Sequence, residues 1–166
     1  ENIGDKDYDA TDLFVNWTVP TASVVCRKEA MEFYANIKGA ERIQNYDIFI
    51  ILSCAMTGKI RGISKQMSVY RIQGEGLTYN QKALIKCKMN NPEHFMCLKE
   101  NFPIVNSKPV DETISKTLFE RAMIQVNINK CLKDLILSIQ YSPATSIKIA
   151  ISNIAHKIKH GFCGLV

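Results

Sequence analysis

The chain has 166 residues, 46% hydrophobic and 22% charged, enough to bury one ordinary core with a smaller helical appendage. Its net charge of +5 is uneven: Asp134 is the last acid, and Lys148, His156, Lys157, Lys159 and His160 follow it, so the C-terminal end presents a basic surface to some acidic environment. No charged-then-apolar leader opens the chain and no apolar run approaches the roughly 20 residues that span a bilayer, so neither a secreted nor a transmembrane protein is read from these residues.

Residues 1–12 are rich in acid (Asp5, Asp7, Asp9, Asp12) without the glycine and distal glutamate of a calcium loop, and read as a solvated loop. The β-branched run Ala22 to Cys26, entered through Pro20, predicts a buried strand. Lys28 to Ile37 predicts a short helix that Gly39 ends, and Asn45 to Met56, apolar nearly all round, a buried helix closed by Thr57-Gly58. Lys59 to Ser64 and Gln66 to Arg71 then read as two short strands before Gly74-Glu75-Gly76. From residue 79 the chain reads as helical. A helix over 79–100 is interrupted by Asn90-Asn91-Pro92, and residues 101–111 form a linker with Pro103 and Pro109. Asp111 to Ile139 carries Ile114, Leu118, Ala122, Ile128, Leu132, Leu135 and Ile139 at helical spacing, with a possible break at Val126 to Asn129. Ser142-Pro143 starts a last helix whose Ile147, Ile151, Ile154 and Ile158 form one stripe.

The six cysteines (Cys26, Cys54, Cys87, Cys97, Cys131, Cys163) lack CxxC pairing and mostly sit in apolar runs. That pattern suits free buried thiols in a reducing, cytoplasmic setting, without a zinc site, while the even count leaves disulfides open as the alternative. The opening Glu1-Asn2-Ile3 has no initiator methionine, from which residues upstream are expected.

Three segments, in this order and spacing, resemble family 2 glycosyltransferases of the GT-A fold. DLFVNWTVPTASVVCRKEAM (residues 12–31) is similar to the family's IPT-S-VVFR stretch, QNYDIFIILSCAMTGKIRGI (44–63) to ED-DLWL-LA--GKI-YI, and MSVYRIQGEGLT (67–78) to MAVYRIH-GG-S. The resemblance implies an α/β layer, part of a GT-A fold, over residues 1–80, followed by a helical C-terminal extension over 81–166. It implies the acceptor-side half of an inverting enzyme that moves a sugar from a nucleotide sugar to a glycan or lipid-linked acceptor. A divalent metal (Mg or Mn) is expected only with the missing N-terminal half, where the metal-binding DxD motif lies. Asp5-Lys6-Asp7 and Asp7-Tyr8-Asp9 have that spacing but lack the preceding apolar strand.

Such chemistry needs a base within reach of the acceptor hydroxyl. The resemblance puts that base at Asn45, an amide without usable basicity, where Gln44-Asn45 replace the family's ED pair. Asp47 can substitute only if the helix start is rotated. At the histidine of the YRIH segment stands Gln73, a poor metal ligand. Candidate substrate contacts are Trp17, Thr21, Ser23, Tyr46, Arg71 and Gln73. Each has a plainer role as well: Trp17 fills a core edge, Thr21 and Ser23 satisfy turn backbone beside a proline, and Arg71 pairs with Glu75. His94 has no partner spaced for a metal and reads as a surface residue.

The expected site is therefore an acceptor-side fragment, inactive by itself, working in the cytoplasm at the inner face of the membrane. Residues 143–160 give peripheral membrane contact or pack on the domain. An exposed sheet edge favours self-association. The rival is a non-catalytic interaction module derived from a glycosyltransferase. A nucleic-acid partner is not expected, because the basic residues are not interleaved with aromatics.

Overall fold

A computed structural model describes residues 4–16, 19, 23–65 and 80–160, the side chains of 156–160 excepted. The described chain forms two compact units, Glu1–Val110 and Asp111–Val166.

In the first unit, β1 (Asp7–Tyr8) leads into α1 (Ala10–Val15), whose N-cap Asp9 accepts the Asp12 N–H at 2.7 Å, satisfying one of the donors that a helix start leaves open. After α2 (Lys28–Ala35) comes a short 3-10 turn, Ala40–Arg42, then α3 (Tyr46–Thr57) and β2 (Ile60–Arg61). β1 and β2 pair antiparallel, Asp7 opposite Arg61 and Tyr8 opposite Ile60. The pairing is held from outside by charge and hydrogen bonds: Lys59 and Arg61 both reach Asp7, and Asp5 accepts the Ser64 N–H at 2.9 Å.

The core sits around α3, which packs against α2 and buries Ile48, Phe49, Ile51 and Leu52. Phe49 stacks edge-on against Phe102, centroids 5.4 Å apart. The α4 helix (Gln81–Asn101) starts at Asn80, whose side chain accepts the Lys82 and Ala83 N–H groups. It buries His94, Cys97 and Leu98 on one face and Pro92 on the opposite one. A turn over 102–106 with Phe102 and Val105 buried precedes α5 (Ser107–Ile124).

In the second unit α5 gives way at residues 125–127 to α6 (Ile128–Tyr141), capped by Asn127. Ser142 alone separates α6 from α7 (Pro143–His160), with Pro143 at the first helical position where its missing N–H costs nothing. Ser115, Ser138 and Ser146 bring α5, α6 and α7 together: their hydroxyls lie 2.7 to 3.1 Å from one another. Beside them Arg121 grips Asp134 with two hydrogen bonds of 2.9 and 2.8 Å.

Several expectations are corrected. The described residues hold seven α-helices and a single two-stranded sheet, so the α/β, GT-A-like layer is not the fold. The run Val24-Val25-Cys26 is not a buried strand: it has no regular structure and Val25 is 96% exposed. Strand propensity without a ladder partner leaves the backbone to water. Residues 7–8 and 10–15 are strand and helix rather than solvated loop, and only Ile60–Arg61 of the expected 59–64 strand is paired. The 66–71 strand lies outside the described residues.

α4 runs unbroken through Asn90-Asn91-Pro92, and α5 begins inside the expected linker with Pro109 in its first turn. An internal proline costs a helix about 3 kcal/mol. Pro92 is itself fully buried, and burying an apolar side chain is worth about 1.5–3 kcal/mol. Of the described cysteines only Cys97 is buried; Cys26 and Cys87 are exposed.

Candidate functional site

The residues at which the resemblance places catalysis open α3. Gln44 is tied down twice: its N–H donates to His94 Nδ1 at 3.2 Å and its Nε2 donates to the Cys87 carbonyl at 3.4 Å. Asn45 follows in extended backbone as the N-cap, its side-chain oxygen accepting the Asp47 N–H at 3.2 Å. Asn45 and Tyr46 are exposed and Asp47 is half-buried. The turn thus presents an amide, a phenol and a carboxylate at the positive end of a twelve-residue helix. These groups can hydrogen-bond a hydroxylated ligand. Only Asp47 among them has the basicity of a carboxylate, and the helix start is not rotated to put it in the place of Asn45, because Asn45 itself caps the helix.

His94 is not a surface residue. It is 3% exposed, its ring lies 5.1 Å from that of Phe49 and 4.9 Å from that of Phe95. Burial lowers its pKa to about 4, so the ring is neutral, with its proton on Nε2 since Nδ1 accepts from Gln44. Helical phase carried the signal that spacing for a metal did not: His94 is in step with Cys97, Leu98 and Asn101 on the face that α4 buries. Nearby, Arg42 and Glu100 form a two-bond ion pair, which lowers the Glu100 pKa and raises that of Arg42.

Of the other candidates, Ser23 lies in a short 3-10 turn, half-buried, on the segment whose Cys26 neighbours Cys54 of α3. Burial raises the Cys54 pKa, and the Cys26 thiol adds to that rise. Tyr46 approaches Tyr34 of α2, whose pKa is raised by burial first and by Tyr46 second. Trp17, Thr21, Arg71 and Gln73 lie outside the described residues, as do the YRIQ segment and its resemblance.

The divalent metal that the resemblance implies does not fit the residues described. Asp5 is held by Ser64, whose hydrogen bonds lower its pKa; Asp7 pairs with Lys59 and Arg61; Asp9 caps α1. Among the described residues no three His, Cys, Asp or Glu side chains are grouped to hold an ion. A surface groove of about 430 Å³ is lined by Thr11, Lys99, Val110 and residues 102–107, with Lys99 as its one ionisable side chain.

The second unit holds what sequence reading missed. Ile128, Leu132 and Ile139, on the expected helical stripe, are 66%, 50% and 53% exposed, while Asp134 and Ser138 of the same helix are buried. No protein-family model, no curated protein and no solved structure matches the chain.

Proposed function

We propose that this chain supplies acceptor-side residues of an inverting glycosyltransferase that uses a nucleotide sugar, at the inner, cytoplasmic face of a membrane. The observation that carries the reading is the opening of α3. Segments 12–31 and 44–63, which resemble the family separately, meet in one unit through packing of α1 and α2 on α3. There His94 fixes Gln44, so that Asn45, Tyr46 and Asp47 stand in order at the helix start. In this reading Tyr46 and the N-terminal donors of α3 orient an acceptor hydroxyl. Asn45 holds the turn but takes no proton, so proton removal falls to Asp47 or to a residue beyond those described. The reading rests on these residues and needs no GT-A layer.

Release of nucleoside diphosphate from a panel of nucleotide sugars, with a glycan or lipid-linked acceptor, tests it on the protein expressed from its native gene. Transfer that Asp47→Asn abolishes, with the fold intact, supports the reading. Transfer absent from the parent but created by Asn45→Asp with Gln73→His marks a lapsed enzyme. No transfer in either protein overturns the reading and leaves the non-catalytic interaction module.

A further inference from the structure

α6 and α7 carry the same pattern. On α6 it is Leu132, Lys133, Ile136, Ile139; on α7 it is Ile147, Lys148, Ile151, Ile154. Each set of three apolar residues falls on one helical stripe, and all six are 50% to 61% exposed. The buried face of α6 is by contrast polar: Asp134 is held by Arg121, and Ser138 by Ser115 and Ser146. A helix that merely covers a domain core has the opposite arrangement, and paired apolar stripes facing solvent mark a contact surface.

Charge identifies the occupant. Every exposed charged side chain on α6 and on the described part of α7 is a lysine (Lys130, Lys133, Lys148), and the one acid, Asp134, is buried against Arg121. At about 100° per residue, Lys133 and Lys148 each lie roughly a quarter-turn from the middle of their stripe. From there a lysine lays its apolar stem along a hydrophobic surface and reaches outward to phosphates. A second copy would set lysine against lysine. None of the described helices is long and apolar enough to cross a membrane, which suits helices lying in the interface.

We propose that α6 and α7 dock this protein on an anionic lipid surface, with the two stripes at the headgroup boundary and Lys133 and Lys148 on lipid phosphates. The inference does not rest on the glycosyltransferase reading.

Flotation of the whole chain with phosphatidylcholine vesicles, with and without phosphatidylglycerol, tests it. Partition is expected to be at least about tenfold stronger with the anionic lipid and to fall as salt is raised. Lys133→Glu with Lys148→Glu is expected to weaken it at least about tenfold, and Ile136→Asn with Ile151→Asn by a similar factor, with helix content unchanged by circular dichroism. The salt titration needs no variant, so it reads out even if a substitution disturbs folding. Equal partition into both vesicles, no partition, or partition indifferent to salt overturns the proposal, as does a dimer that the isoleucine variants dissolve in place of vesicle binding.

Discussion

His94 Nδ1 accepts the backbone N–H of Gln44 at 3.2 Å across 50 residues of sequence. The bond joins the middle of α4 to the residue just before α3, and it requires a neutral ring. Burial holds the folded pKa at about 4, whereas an unfolded histidine titrates near about 6.5. Between those values the unfolded chain binds the extra proton, so stability is full above about pH 6.5 and declines as pH falls towards 4. The loss is on the order of 3 kcal/mol. Urea unfolding at pH 7 and pH 4.5 should show it, and His94→Gln should remove most of the difference while lowering stability at pH 7.

Asn45 is a helix cap whatever else it does. Asn45→Ala should cost about 1 kcal/mol in unfolding free energy. Asn45→Asp should be neutral or slightly stabilising, since a carboxylate both accepts the Asp47 N–H and suits the positive helix end. Thermal melts of the two variants check this, and a loss in both would mean that the side chain acts elsewhere.

Arg121 and Asp134 are both nearly buried, their side chains 13% and 6% exposed. Removing one partner strands the other charge, so Asp134→Ala should destabilise the second unit by about 3 kcal/mol or more. Replacing both, as Arg121→Met with Asp134→Leu, should recover most of that loss. A double-mutant cycle followed by chemical denaturation measures the coupling.

Gly39 occupies the left-handed region, φ 75° and ψ 30°, and a Cβ there would meet the Arg42 guanidinium. Arg42 cannot move aside freely because it is paired with Glu100. Gly39→Ala should therefore cost roughly 1–2 kcal/mol from backbone alone and weaken the ion pair as well. Hydrogen exchange at the turn over residues 39–43 should rise.

The sequence by itself determined what local chemistry controls. The apolar block read as Asn45 to Met56 and closed at Gly58, which falls within one residue of the observed helix, the helix that Pro143 opens, and the break near Val126 all need only neighbours in sequence. At Gln44 to Asp47 the sequence offered only a resemblance; that Asn45 caps the helix rather than opening it came from the structure. Tertiary structure decided everything that depends on a distant partner. Val24 to Cys26 has strand propensity but finds no ladder, so it stays irregular, with Val25 and Cys26 exposed. α4 passes through Pro92 because packing offsets the proline's local cost. His94 is buried because Gln44 and Phe49 meet it. On α6 the outward face is apolar and the buried face polar, since Arg121, Ser115 and Ser146 satisfy Asp134 and Ser138. Periodicity shows that a helix has two faces; which one is buried depends on whether the polar side chains find partners away from water.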